Sequence, residues 1–226
     1  MANEKMTKVD VAAMLMEALE QFCDEYKDLR PALEHPFRQK DGDGQDCVMA
    51  SDGHVLVCIK AKEAGVAVGK FKVMDDFNAY KVIPTIGFED LVNARTVRRE
   101  DLVTVIDQME QHETAKQQVA SADMCGVQLS MEGVSHIEVA MRISGADVAR
   151  LVWHKDDKVL LQFDNDKRQV AVSILHMGWK PKDAHIISVP TTDDGNSVDA
   201  RIDWQKGATA WSDIKAELDQ ISEDSH

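Results

Sequence analysis

The chain has 226 residues, a formal net charge of −14 and a hydrophobic fraction of 44%. That length fits one or two compact domains with a real core. No run of about 18 apolar residues occurs, so a membrane-spanning helix is not expected. So acidic a balance also argues against a protein held to nucleic acid by its overall field.

The N-terminus, Met1-Ala2-Asn3-Glu4-Lys5, has no apolar signal segment, which makes a cytoplasmic protein the expectation. From Thr7 to about Tyr26 the pattern is helical. Thr7 caps it, and Val11, Leu15, Leu19, Phe22 and Tyr26 share one face. Pro31 ends the element. The run Asp41-Gly42-Asp43-Gly44-Gln45-Asp46 has the look of a calcium loop. Its sixth and twelfth positions are Asp46 and Asp52, where such a loop needs Gly and Glu, so it reads as a solvated turn.

Residues 46–59 have the form of a β-hairpin. Asp52-Gly53 suits the left-handed angles of a tight turn, and Val55 to Ile59 is apolar on both faces, which predicts a strand covered on both sides. Residues 61–72 read as loop and short strand, and residues 85–95 as a connection. Glu100 to Met109 is a predicted helix with Leu102, Val105, Ile106 and Met109 on one stripe. Gln111 to Ser121 is ambiguous. Val127 to Met131 alternates as a strand ended by Gly133, and His136 to Ile143 alternates as another. Ser144 is then the N-cap of a helix through about Trp153, with Asp147, Arg150 and His154 on its polar side. Lys158–Asp164 and Gln169–Met177 form a hairpin about Asn165-Asp166-Lys167. The tail offers strands at Ala184–Val189 and Val198–Trp204 and a helix bearing Trp211, Ile214, Leu218 and Ile221. Residues 183–226 hold ten Asp/Glu and three Lys/Arg. They read either as cover for a sheet edge or as a partner-binding appendage.

No catalytic constellation is present. The phosphate-loop, nucleophile-elbow and His-Glu-x-x-His patterns are missing, and the eight His lack metal-ligand spacing. Cys23, Cys47, Cys58 and Cys125 include no Cys-x-x-Cys pair and read as reduced, buried thiols. Neither a cofactor nor a metal is expected, and the protein is read as non-enzymatic.

Three stretches in order resemble one family. Ser51-Asp52-Gly53-His54-Val55-Leu56 is similar to the Thr-Asp-Gly-His-Arg-Leu hairpin of bacterial sliding clamps, the β subunit of DNA polymerase III. Asp76-Phe77-Asn78-Ala79-Tyr80-Lys81-Val82-Ile83-Pro84 resembles the segment that ends the clamp's middle domain. Residues 136–177 resemble its last domain. The likeness spans roughly residues 7–177.

The resemblance implies an α+β, DNA-clamp-like fold. Two domains of antiparallel sheet with packed helices are expected: a shortened one at 1–92, a second at 93–180, and an acidic extension at 181–226 packing on the second. It further implies a pocket for the short linear peptides by which DNA polymerase and repair proteins attach. Ser51, Gly53, His54, Val55 and Leu56 match its hairpin, Pro84 its proline, and Ser173, Leu175 and Met177 its last strand. Val55 stands where the family has Arg, and His176 where it has Pro. Clamps touch DNA through helices lining a central hole, by Lys and Arg directed at phosphates. Lys8, Arg98, Arg99, Arg150 and Lys155 are the candidates. Two domains per chain would need three chains for a six-domain ring, joined head to tail; the shortened first domain leaves a monomer or dimer as the rival. Two other functions stand beside this one: an acidic DNA mimic that inhibits a DNA-binding protein, and an enzyme whose site is assembled from carboxylates.

Overall fold

The computed structural model describes residues 18–23, 33–40, 46–60, 71–74, 79–83, 94–116, 118–155, 157–164 and 171–193. Strands β1 (Phe37–Lys40), β2 (Asp46–Ser51), β3 (Val55–Lys60) and β4 (Lys72–Val73) come first. A 3-10 turn follows at Ala79–Val82. Then β5 (Arg95–Arg98) runs straight into helix α1 (Arg99–Lys116), followed by β6 (Ala120–Met124), β7 (Val127–Leu129) and helix α2 (Met131–Ser144). Strands β8 (Val148–Lys155), β9 (Lys158–Asp164), β10 (Ala171–Met177), β11 (His185–Ser188) and β12 (Thr192–Asp193) complete the described chain.

The fold is mixed α+β. One nine-stranded sheet has the order β12-β5-β8-β9-β10-β3-β2-β1-β4, and a three-stranded sheet has the order β11-β6-β7. Neighbours are antiparallel except β1 with β4 and β11 with β6. The sequence explains the large sheet's centre. Val55, Leu56, Val57, Cys58 and Ile59 are all buried, because one face of β3 meets the helices and the other meets a second apolar layer. On the helix side Val55, Val57, Ile59 and Ile174 pack with Leu102, Val105, Val134, Ile137 and Met141. On the far side Leu56, Cys58, Leu160 and Leu175 pack with Phe37, Met49, Ala79 and Ile83.

Two expected elements exchange types. His136–Ile143, expected as a strand, lies inside α2, and the helix expected from Ser144 to Trp153 is strand β8. The alternation of Ile137, Val139, Met141 and Ile143 hid a helical stripe of Val134, Ile137, Ala140 and Met141. Ser130 is the true N-cap, its Oγ accepting from the Gly133 N–H at 3.1 Å. Ser144-Gly145 closes a helix instead of opening one. Gly145 takes the left-handed φ of 68°, and Gly145 and Ala146 donate back to Arg142 and Met141. Gly133, expected to end a strand, sits in the first turn of α2. Helix α1 runs on to Lys116, so the ambiguous stretch after Met109 is mostly helix.

The hairpin at 158–177 and the 46–59 hairpin form with the expected pairing. Of the expected first helix, residues 18–20 are helical, with Leu19 and Phe22 buried. Its Thr7 cap and Tyr26, the loop at 41–45, the second tail strand at 198–204 and the helix at 211–221 lie outside the described residues. Among the described residues no helix is long and apolar enough to cross a membrane.

Candidate functional site

The turn between β2 and β3 is built by its own side chains. Asp52 Oδ1 accepts from the His54 N–H at 2.6 Å and the Val55 N–H at 2.8 Å, while Gly53 N–H donates to Ser51 Oγ at 3.1 Å. Gly53 has φ 95°, a conformation costly for any residue with a Cβ. This turn delivers β3 against β10. His176 lies opposite Val55, Leu175 opposite Leu56, and Ser173 opposite Cys58. Beyond the last ladder pair, the Met177 N–H donates to the His54 carbonyl at 2.8 Å. Two sequence segments about 120 residues apart thus meet at one seam.

Strand alternation sorts the expected peptide-site residues onto two faces. Leu56 and Leu175 share the far side, at 5% and 6% exposure. Met177, two residues on from Leu175, is 42% exposed. Gly53 and His54 are exposed at the tip, and Ser51 is buried beneath it. Val55 belongs to the helix-side core and so does not share a cleft with Leu56. Ser173 is placed by its backbone pairing, and Pro84 lies outside the described residues.

On the helix side the same seam carries a polar cluster that sequence reading overlooked. His176 is buried, and its Nδ1 donates to the Met177 carbonyl at 2.7 Å. That fixes Nε2 as an acceptor, so His136 Nδ1, 3.4 Å away, supplies the proton between the rings. The His136 ring also lies against Phe22, with centroids 5.3 Å apart. Burial pulls His176 down to about 4; His136 and His54 add to this, and the Met177 carbonyl and Asp52 oppose it. Burial likewise lowers His136, with Asp52 and Glu132 opposing. Burial pushes the Cys23 thiol up to about 12, helped by the Glu20 and Asp52 carboxylates, so it is an inert thiol at neutral pH. The missing signal was a helical reading of residues 131–144, which alone brings His136 over β10. Among the described residues no three His, Cys, Asp or Glu gather closely enough to hold a metal ion.

The four described residues among the expected DNA contacts do not gather on a helix face. Arg98 is in β5 and pairs with Glu100 at 3.3 Å. Arg99 opens α1 and meets Glu138 at 3.5 Å and Asp147 at 3.6 Å. Arg150 and Lys155 lie on strand β8, not on a helix, opposite Gln162 and Lys158 of β9. Lys8 is outside the described residues. Helix α1 carries Glu100, Asp101, Asp107, Glu110 and Glu113 against Arg99 and Lys116, and α2 carries Glu132 and Glu138 against Arg142.

No family model matches the chain. No curated protein matches it either. Among solved structures it is similar to a sliding clamp, DNA polymerase III subunit beta, from Bartonella birtlesii, in a structure bound to griselimycin. That match has a TM-score of 0.49 and 12% identity, over 75% of this chain and 64% of that one. It is similar to DNA polymerase III subunit beta from Pseudomonas aeruginosa, with a TM-score of 0.48 and 12% identity over 77% of this chain and 65% of that one. A third similar structure is the beta subunit from Thermotoga maritima, with a TM-score of 0.48 and 12% identity over 76% of this chain and 64% of that one. The chain spans a little under two thirds of the length of these three proteins.

Proposed function

We propose that the protein is a sliding-clamp-like, non-enzymatic accessory protein of DNA replication or repair, whose working surface docks short linear peptides of polymerases or repair proteins. The observation that carries this reading is the β3–β10 seam. The Asp-Gly-His turn and the last strand, matched separately in sequence, lie side by side with Leu56 opposite Leu175 and Met177 bonded to His54. On this reading residues 1–92 and 93–180 are two clamp-type units, the first shortened, joined at that seam, and of the expected extension at 181–226 the described strands β11 and β12 pair with β6 and β5 of the second. Leu56 and Leu175 are buried beneath that surface, and Met177, 42% exposed, is the apolar residue of the set that a docking peptide can reach. A flexible Met there suits a site that accepts several sequences.

DNA encirclement is not the centre of this reading. Arg98 and Arg99 are engaged with carboxylates, and both helices carry more acid than base. That acid excess favours the acidic-mimic reading as the alternative. A mimic would displace duplex DNA from a basic protein and ignore clamp-binding peptides.

The test is fluorescence anisotropy with a labelled Gln-Leu-x-Leu-Phe peptide. Wild type binds saturably. Met177→Asp, at an exposed position, keeps its thermal midpoint and weakens binding about tenfold or more, the effect of one hot-spot residue. Leu56→Asp abolishes binding but also disturbs the core. Failure of wild type to bind removes the docking function.

A further inference from the structure

The chain does not stop at the seam. After β10, Trp179 N–H donates to the Gln128 carbonyl at 2.7 Å and the segment turns back along the second unit. Strand β11 joins the edge of β6 in parallel, and the His185 ring stacks on His112 of α1 at 4.0 Å. Val189 is buried and its N–H donates to the Asp123 carbonyl at 2.8 Å. Pro190 follows. Then Thr191, Thr192 and Asp193 seat on β5, the strand next to the end of the nine-stranded sheet.

This last seat differs in kind from the rest of the strap. Its contacts are polar. Thr192 Oγ and Thr96 Oγ are 2.7 Å apart, an Arg95 guanidinium N–H donates to Thr191 Oγ at 3.3 Å, and Arg95 Nε lies 3.2 Å from Asp193 Oδ1. Both β12 residues are exposed, and neither carries an apolar side chain into the core. Exposed ion pairs and hydrogen bonds of this sort hold weakly. A strand edge so lightly covered remains a template for another strand. It is also selective. Arg95 places a cation at the β5 edge, which opposes pairing of two such edges and favours a segment bearing a carboxylate.

We propose that the β5 edge is a strand-addition surface whose intermolecular occupant is residues 191–193 of a second copy of this chain. The fit needs no new chemistry, because the exchanged segment makes the same Thr–Thr, Arg–Thr and Arg–Asp contacts as it does within one chain. Pro190 sits between the buried anchor Val189 and the exposed seat, at the point where the strap would swing out. The tethered segment competes at an effective concentration on the order of millimolar, so exchange grows as protein concentration approaches that range.

The test is covalent trapping in the full chain. Thr96→Cys and Thr192→Cys are combined in a Cys125→Ser background, since Cys125 Sγ lies 3.8 Å from Thr191 Oγ. Samples are held at rising concentration, diluted and oxidised. The expected result is an intramolecular crosslink in dilute protein and a covalent dimer whose fraction climbs with concentration. Sedimentation of the otherwise unaltered protein then shows the same dimer, its fraction rising over the same concentrations. A crosslink that stays intramolecular at every concentration overturns the proposal. So does no crosslink at all, or a protein that sediments as a monomer at every concentration.

Discussion

Acidification should weaken the fold through His176, and the size of the effect follows from its surroundings. The ring is buried between β10 and the first turn of α2, and burial lowers it from 6.5 to about 4. The unfolded chain therefore takes up a proton near pH 6.5, while the folded chain resists until about pH 4. Between those values the unfolded state binds more protons, so stability rises with pH across the window and is complete above it. A displacement from 6.5 to about 4 corresponds to about 3 kcal/mol. At a urea slope of about 2–3 kcal/mol per molar, that moves the unfolding midpoint by about 1 M or slightly more. His136 shifts in the same direction and steepens the loss. The assay is urea unfolding at several pH values from 7.5 to 4, on wild type and His176→Asn. Asparagine keeps a donor near the Met177 carbonyl but does not titrate. Its baseline stability is lower, because the smaller side chain leaves space beside Gly133. The decisive quantity is the difference in pH slope, since carboxylates titrate alike in both proteins. Equal slopes between pH 6.5 and 4.5 would refute the assignment of acid sensitivity to this ring.

Gly133→Ala should destabilise despite improving helix propensity. A Cβ there meets the His176 ring at 2.9 and 3.0 Å, and that ring is pinned by its bond to the Met177 carbonyl. Overpacking costs about 1–3 kcal/mol against a helical gain of about 1 kcal/mol, so a net loss is expected in thermal or urea unfolding. Asp52→Ala removes the acceptor for two turn N–H groups and should cost about 1–2 kcal/mol. It also removes a carboxylate that supports both histidinium forms, so imidazole resonances followed by NMR should titrate at lower pH than in wild type.

Hairpins were legible in the sequence, and the helix and strand at 131–155 were not. Asp52-Gly53 and Asn165-Asp166-Lys167 carry turn chemistry in adjacent residues, so local patterns sufficed. Residues 131–155 carry an apolar pattern compatible with both periods. What decides them is Ser130 and Gly145, whose capping roles become visible once the helix between them exists. The same misreading concealed the histidine pair, because a strand at 136–143 would not place His136 above β10. The resemblance located the seam from both sides, yet it could not say that Val55 turns to the helices and Leu56 away from them. Buried Leu56 and exposed Met177 differ through what covers them, which pattern alone does not encode.

The helices give the last prediction. If this chain held duplex DNA as a ring does, α1 and α2 would face phosphates. On α1 five carboxylates stand against two cations, and Arg99 is engaged by Glu138 and Asp147. A phosphate must displace those partners to reach Arg99, and the freed carboxylates would then repel the backbone. Each phosphate neutralised adds about −0.9 to the slope of log affinity against log salt. The carboxylate excess around Arg98 and Arg99 repels the DNA backbone, so their expected contribution is near zero. Anisotropy with a labelled duplex between 50 and 200 mM salt should therefore give the same weak affinity and the same slope for wild type and for Arg98→Ala with Arg99→Ala. A wild-type slope steeper than the double variant's by about 2 would mean that both arginines leave their carboxylates for phosphate. DNA contact would then belong at the centre of the function, beside the peptide seam.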